Sequence, residues 1–180
     1  MRVPRILSAF LCAFLLVAIG VRGAAVEPQQ SSSPTAAADV VEAACRKAAS
    51  ESKLVFLKTA HPQCGWCKVF DRYHHRPEVA AILEPYYVFA TVDIAAMPDG
   101  KAVFSKFAEV QFPTWVIITP DRRVIVDSFT KKGDPSSNVG YPGKPEETAH
   151  YLAALKKATP AIPESDLTIL AEQLQKAVGK

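Results

Sequence analysis

The cysteines Cys64 and Cys67, separated by two residues, most constrain how this chain can fold. An apolar run of strand length, residues 54–57, precedes the pair. After the pair, aromatic residues recur at three- and four-residue spacing through Phe70 and Tyr73, which indicates a helix. The two thiols therefore lie where a predicted strand ends and a predicted helix begins.

The start of a helix favours the reactive form of a thiol. Backbone N–H groups without helical partners and the positive end of the helix dipole both stabilise the thiolate, which is the nucleophile of disulfide exchange. We therefore predict that Cys64 attacks and that Cys67, one turn further on the same face and more buried, resolves the mixed disulfide. Two other interpretations stay open: a structural disulfide, and a zinc site with His61 as a third ligand.

Three motifs, in this order, resemble those of the thioredoxin superfamily. The first is the strand, short loop and C-x-x-C followed directly by Lys68. The second, Val110-Gln111-Phe112-Pro113-Thr114, resembles the loop whose cis-proline faces the dithiol. The third is Gly140-Tyr141, followed by Pro145-Glu146-Glu147 at the start of a helix. The resemblance covers residues 35–159.

The resemblance implies a thioredoxin-like α/β fold and a thiol-disulfide oxidoreductase. It implies that Pro113, in cis, lies against the dithiol and that the backbone of Phe112 pairs with an extended segment of substrate. The residue pattern alone also allows Pro113 to be a strand-entry proline. Trp66 either covers the disulfide and contacts partners or is an ordinary surface aromatic residue. Together with Gly65, it influences the reduction potential.

At two positions the chain departs from the family pattern. Many members carry Trp directly before the first cysteine, where this chain has Gln63. Many also carry a buried acid six residues before that cysteine, which moves protons for the resolving thiol; here the position holds Lys58. A buried lysine tends to lose its charge, whereas a charged one favours nearby thiolates. The proton relay and the direction of electron flow are therefore left open.

The first 23 residues have the pattern of a secretory signal peptide. Arg2 and Arg5 precede an apolar segment, residues 6–19, and small residues follow it. We expect cleavage after Gly23 or Ala25. The alternative is an uncleaved membrane anchor, although a spanning helix needs about 20 apolar residues.

Three further parts are predicted after the signal: a flexible linker at 24–34, a thioredoxin-like domain at 35–159, and a helical extension at 160–180 that we expect to pack on the domain.

Strands alternate with helices and end in a hairpin, which predicts a mixed central sheet of about four strands with helices on both faces, plus the extra C-terminal helix. The predicted helices are 36–52, 64–76, 77–83, 101–107, 145–159 and 166–178, and the predicted strands are 53–60, 86–93, 115–119 and 124–129.

The sequence also predicts which residues cap or end three of the helices. Ser33-Pro34 or Thr35 is expected to cap the first helix, and Ser165 the last. His74 and His75 end the helix that follows the dithiol, and we expect them to be solvated there.

The charge balance gives no sign of a nucleic-acid surface. The chain has 21 Lys+Arg and 18 Asp+Glu, a formal net charge of +3. Removing Arg2, Arg5 and Arg22 with the signal leaves 18 basic against 18 acidic side chains.

Three cysteines remain after cleavage of the signal, too few for a domain held together by disulfides. Cys45 is expected to be a small buried apolar residue rather than a third redox thiol.

Together these features predict an exported, monomeric thiol-disulfide oxidoreductase that acts on protein disulfides in a periplasm or outside the cell and works with a redox partner protein. It would need no metal and no cofactor beyond the Cys64–Cys67 dithiol, and it would touch a membrane only through an uncleaved signal. The alternative is a redox-inactive or metal-binding thioredoxin-like interaction module.

Overall fold

The structure, a computed structural model, describes residues 35–179; the predicted signal peptide and linker lie outside the described residues. The helices are α1 (Ala37–Glu51), α2 (Gly65–His74), α3 (Pro77–Leu83), α4 (Gly100–Phe104), α5 (Pro145–Ala158) and α6 (Glu164–Val178). The strands are β1 (Leu54–Ala60), β2 (Tyr87–Asp93), β3 (Trp115–Ile118) and β4 (Val124–Asp127), and a short 3-10 helix covers Pro135–Ser137. None of the helices in this part of the chain is long and apolar enough to cross a membrane.

The four strands form one mixed sheet in the order β2-β1-β3-β4. Strands β1 and β2 run parallel, since the helical segment α2–α3 crosses between them. Strand β3 runs antiparallel to β1 and forms an antiparallel pair with β4. The predicted mixed sheet and its terminal hairpin are confirmed, and the arrangement is the one that the thioredoxin resemblance implied.

Each face of the sheet has its own core because successive strand residues point to opposite sides. Phe56 belongs to a cluster covered by α2, α3, α5 and α6, which we call the aromatic face. Val55 and Leu57 belong to a cluster covered by α1 and α4, which we call the aliphatic face. Lys58 follows Phe56 by two residues, so its side chain is directed to the aromatic face.

Helix α6 packs on the domain, as expected of the C-terminal extension. Its stripe of leucines, Leu167, Leu170 and Leu174, is buried in the cluster that also holds Phe70 of α2. The hydroxyl of Tyr141 donates a hydrogen bond of 2.5 Å to the backbone oxygen of Leu174. The helix therefore completes the aromatic face and lies close to the start of α2.

The predicted caps Thr35 of the first helix and Ser165 of the last are wrong, and Ser33-Pro34 lies outside the described residues. Helix α1 begins after Ala36, without a side-chain cap. Instead Asp99, far along the chain, accepts hydrogen bonds of 2.7 and 3.0 Å from the first two N–H groups of α1. Helix α6 begins after Pro163, so Ser165 lies inside it.

Two elements are shorter than their patterns predicted. Helix α4 ends at Phe104 rather than at residue 107, because the chain turns there to reach β3. Strand β4 ends at Asp127 rather than at residue 129. Phe129 pairs instead with Asn138 in an isolated bridge, which closes the loop between β4 and α5.

Candidate active site

The dithiol lies at the start of α2, as predicted. Cys64 and Cys67 form a disulfide, with their Cα atoms 5.3 Å apart. Cys64 is the N-cap residue, and its Sγ accepts a hydrogen bond of 3.0 Å from the backbone N–H of Cys67. Cys67 is only 2% exposed, whereas Cys64 is partly exposed. A partner can therefore reach the first sulfur more easily than the second, and the helix N–H groups are available to its thiolate.

A loop carrying Phe112 and Pro113 connects α4 to β3, and the peptide bond between these two residues is cis. Thr59 of β1 fixes this loop: its hydroxyl donates to the backbone oxygen of Gln111 at 2.6 Å and accepts from the N–H of Thr114 at 2.8 Å. The Phe112 side chain is 43% exposed. The loop is thus held by the dithiol strand while its aromatic residue faces solvent.

Sequence reasoning missed two contacts that support this loop from the other side. The Asn138 side chain donates a hydrogen bond of 3.1 Å to the backbone oxygen of Pro113. Gly140 packs so closely that a Cβ atom there would lie 2.8 Å from the same oxygen. The Gly140-Tyr141 motif was recognised by resemblance, but its contact with Pro113 joins residues far apart in the chain, and no local pattern indicates it.

Trp66 is a half-exposed aromatic residue that packs on a neighbouring ring. It is 52% exposed, and its indole stacks on the ring of Tyr141, with centroids 5.6 Å apart and planes 12° apart. A groove of about 460 Å³ is lined by Trp66, Phe112, Pro113 and Tyr141, among others, and Val178 of α6 contributes to its wall. The three residues predicted to bind substrate therefore share one groove on the surface.

Lys58 is buried, with 4% of its surface exposed. Its ammonium lies 2.7 Å from Oδ1 of Asp71, a carboxylate on α2 that is 45% exposed. The two groups form an ion pair but lack the angles of a hydrogen bond, and the ammonium has no hydrogen-bond partner among the described residues. The position that carries an acid in many relatives thus holds a cation, and an acid comes from the helix instead.

The expectation that His74 is solvated is wrong. His75 is exposed, but His74 is buried because its ring packs against the sheet, with its centroid 5.0 Å from that of the Phe56 ring. Its Nε2 lies 3.3 Å from the hydroxyl of Tyr151. Burial, aided by the positive charge of Lys58, holds the pKa of His74 well below its usual value. The histidine is therefore neutral at pH 7.

His61, the third ligand of the alternative zinc site, packs its ring against Phe112 with centroids 5.2 Å apart. Its Nδ1 accepts a hydrogen bond of 3.3 Å from the N–H of Gln63. Within residues 35–179 no three His, Cys, Asp or Glu side chains are grouped so as to hold a metal ion.

Cys45 is buried in α1, on the aliphatic face, as predicted. It forms no disulfide. Burial raises the pKa of its thiol. The third cysteine is thus on the opposite side of the sheet from the dithiol, in surroundings that disfavour its thiolate.

A family model described as Thioredox_DsbH, protein of unknown function (DUF255), matches residues 27–143. The match includes the dithiol, the sheet and the Pro113 loop. Together with the C-x-x-C pair, it supports thiol-disulfide redox chemistry at the level of the family. A search of curated proteins finds no match.

Several solved structures are similar to the chain. A disulphide isomerase from Xylella fastidiosa Temecula1 is 15% identical with a TM-score of 0.46, over 57% of this chain and 80% of that one. The C-terminal domain of Neisseria meningitidis DsbD, in the oxidised form, is 21% identical with a TM-score of 0.42, over 53% and 84%. A protein described as DsbH oxidoreductase is 16% identical with a TM-score of 0.44, over 77% and 96%.

Proposed function

Since this chain belongs to the Thioredox_DsbH family, we propose that it is an exported thiol-disulfide oxidoreductase acting on protein disulfides through Cys64 and Cys67. In the reduced protein, the Cys64 thiolate attacks a substrate disulfide; one substrate sulfur leaves as a thiolate, and a mixed disulfide remains. The Cys67 sulfur then attacks Cys64, which releases the second substrate thiol and restores the intramolecular disulfide. Run backwards, the same steps oxidise a substrate dithiol.

The observation that carries the proposal is the difference between the two sulfurs. Cys64 caps α2 and is partly exposed, whereas Cys67 is almost completely buried. An exchange reaction needs this asymmetry, because the partner has to meet one sulfur first and the second has to be protected until the mixed disulfide exists. A purely structural disulfide has no need of an accessible sulfur at a helix start.

The groove beside the dithiol supports a role for Trp66, Phe112 and Pro113 in binding the substrate chain. The backbone of Phe112 makes no hydrogen bond to the other described residues, so its N–H and oxygen are available to an extended peptide, which would pair with them as an added strand. The exposed rings of Trp66 and Phe112 would contact side chains on either side of the substrate cysteine.

Other parts of the proposal concern compartment and partners. The N-terminal signal pattern supports export, with cleavage after Gly23 or Ala25, a linker to residue 34, the domain at 35–159 and the extension at 160–180. The protein acts as a monomer without metal or cofactor, and a redox partner protein resets the dithiol. Fractionation of cells making the full chain, followed by the intact mass of the product, tests export and the cleavage point.

Trapping of the mixed disulfide tests the reaction. In the full chain, Cys67→Ser is expected to accumulate disulfide-linked complexes with partner proteins, because Cys64 still attacks but nothing resolves. Cys64→Ser is expected to trap few or none, and the double variant is the control. Equal trapping by both single variants would contradict the roles, and no trapping by either would favour the redox-inactive interaction module.

The reduction potential decides the direction of electron flow. Equilibration of the Cys64–Cys67 pair in glutathione buffers, with free thiols counted, gives its value. A potential of about −120 mV would mark an oxidant, and one of about −270 mV a reductant.

A further inference from the structure

The three most exposed large apolar side chains of the described residues lie at one place. Trp66 of α2, Phe112 of the loop before β3 and Val178 of α6 are exposed by 52%, 43% and 43%. All three line the groove of about 460 Å³ beside the dithiol. Single exposed apolar residues are common on protein surfaces, whereas several of them around one concave site mark a binding surface. The groove therefore offers a site for an apolar group.

Helix α6 reaches this groove from outside the segment that the family model matches, which ends at residue 143. Val178, in the last turn of the helix, lines the groove. Gln175, about one turn earlier, donates a hydrogen bond of 3.4 Å to the backbone oxygen of Gly143, which is another lining residue. The C-terminal extension thus contributes a side chain to the groove and also contacts its backbone.

Tyr141 links α6 to the aromatic side of the groove. Its ring stacks on the indole of Trp66, with centroids 5.6 Å apart. Its hydroxyl donates a hydrogen bond of 2.5 Å to the backbone oxygen of Leu174, which is itself buried. Trp66 follows the attacking Cys64 by two residues. The position of α6 therefore fixes the ring on which the indole beside the reactive sulfur rests.

The charged groups of the groove are occupied by one another. Among the described lining residues, only Lys144 and Glu147 carry a charge, and the ammonium lies 3.2 Å from the carboxylate. The same carboxylate accepts hydrogen bonds of 3.1 and 3.0 Å from the backbone N–H groups of Gly143 and Lys144. No net charge is left to attract a charged ligand, so the groove favours an uncharged, apolar one.

We propose that α6 is part of the substrate site, and that the groove takes a large apolar side chain one or two residues from the cysteine of an extended substrate segment. The inference rests on the proposed function, in which that segment pairs with the free backbone of Phe112 and presents its cysteine to Cys64. Val178 then contacts the apolar side chain directly. Tyr141 acts through Trp66 and is a positioning residue.

Binding of a peptide that cannot undergo disulfide exchange tests the inference. The probe is a fluorescently labelled peptide in which two leucines stand on each side of a serine, and its match carries asparagines in place of the leucines. Fluorescence anisotropy with the oxidised full chain is expected to give a Kd at least about tenfold lower for the leucine peptide than for the asparagine peptide.

Substitutions on α6 separate the groove from the rest of the helix. Val178→Ser is expected to weaken binding of the leucine peptide by about tenfold, which is the lower end of the effect of one methylene group in an apolar pocket, because the groove is open. Val178→Ile keeps an apolar side chain and is expected to retain the affinity. Ile169→Ser is the matched control: Ile169 lies on the same helix and is 38% exposed, but it does not line the groove. This variant is expected to bind like the parent.

Tyr141→Phe tests the link between α6 and Trp66. The variant keeps the stacked ring and removes only the hydroxyl that bonds Leu174, so it is expected to weaken binding of the leucine peptide less than Val178→Ser does. Circular dichroism checks that each variant folds. If Tyr141→Phe does not fold, the comparison of Val178→Ser with Ile169→Ser still decides whether α6 contributes to the groove.

Equal affinity of the parent for the two peptides, or equal losses in Val178→Ser and Ile169→Ser, would overturn the inference. The peptides contain no cysteine, so the result is independent of the trapping experiment. Preferential binding of the leucine peptide without any trapping would support the groove and reject the exchange reaction. Trapping by Cys67→Ser without preferential binding would reject the role of α6 alone.

Discussion

The aromatic and aliphatic faces are built on the same four strands, yet they bury different chemistry. The cluster of the aliphatic face contains aliphatic residues, Phe104 and one titratable side chain, Cys45. The aromatic face buries Lys58, His74 and four tyrosines around Phe56. The helix that carries the dithiol packs on the aromatic face. The comparison teaches that buried ionisable groups are concentrated on the face of the sheet that the dithiol helix covers, whereas the opposite face buries almost only apolar side chains.

The polar atoms buried on the aromatic face are only partly paired. The hydroxyl of Tyr87 lies 2.8 Å from that of Thr159, and the hydroxyl of Tyr141 donates a hydrogen bond to the backbone oxygen of Leu174. His74 Nδ1, in contrast, has no hydrogen-bond partner among the described residues. A buried polar atom without a partner lowers stability by about 1–3 kcal/mol. Part of the free energy that the aromatic face gains by burying its rings is therefore offset by polar atoms without partners.

The largest effect is expected from removing the centre of the aromatic face. Phe56 stacks on Trp115 with ring centroids 5.7 Å apart, and Phe56→Ala is expected to lower the free energy of unfolding by about 3–5 kcal/mol. Leu57→Ala, its neighbour on the aliphatic face, is expected to cost about 2–5 kcal/mol. Denaturant unfolding measures both.

The same two variants test whether the aromatic face influences the dithiol while the aliphatic face contributes only to stability. Phe56→Ala is expected to change the reduction potential of the dithiol, because it loosens the packing under α2, and Leu57→Ala is expected to leave it unchanged. A potential altered equally by both would contradict the division between the faces.

The next effect in size is the pH dependence that His74 imposes. Its folded pKa is lowered by burial and by Lys58, so below the unfolded pKa of about 6.5 the unfolded chain binds a proton that the folded protein does not. The free energy of unfolding should fall by up to about 1.4 kcal/mol for each pH unit below about 6.5, and should not depend on His74 above it.

Thermal or urea unfolding between pH 7.5 and 5, compared with His74→Leu, measures this contribution. The variant is expected to lose stability less steeply as the pH falls, since it lacks the buried imidazole that takes up a proton on unfolding. Parallel curves for the two proteins would mean that His74 is protonated in the folded state.

A smaller effect is expected at the edge of the aromatic face. Trp66→Ala removes the stack on Tyr141 and is expected to lower stability by about 0.5–1.5 kcal/mol. Because the indole lines the groove beside Cys64, the yield of trapped complexes in a Cys67→Ser background should also fall, by roughly fivefold for about 1 kcal/mol of lost contact. Val124→Ala, an exposed apolar residue on β4, is the control; an equal loss there would show that the contact is not specific.

The smallest effect is expected from the thiol of the aliphatic face. Cys45→Ala is expected to change stability by less than about 1 kcal/mol and the dithiol potential not at all, because Cys45 lies across the sheet from α2. In the native protein the thiol should alkylate slowly at pH 8, as burial raises its pKa. Rapid alkylation of Cys45, or its recovery in a mixed disulfide, would make it a third redox group.

Much of the fold and the dithiol could be predicted because the signals are local. Hydrophobic spacing within segments of four to fifteen residues predicted the strands and most helices. Pro77 and Pro145 marked the starts of two helices. Cys64 at a strand-to-helix junction needs only its neighbours to be recognised. The boundaries that were wrong, at α4 and β4, are places where the chain turns to meet a distant segment.

The sequence by itself determined the order of elements and the position of the two cysteines at a helix start, because backbone geometry and side-chain periodicity act over a few residues. Only the tertiary structure decided that Asp99 caps α1, that the sheet buries His74, and that Asp71 of α2 meets Lys58 of β1. Each of these depends on segments that approach through packing of the whole domain. Burial and charge are properties of that packing, and they determine the chemistry available to a thiol.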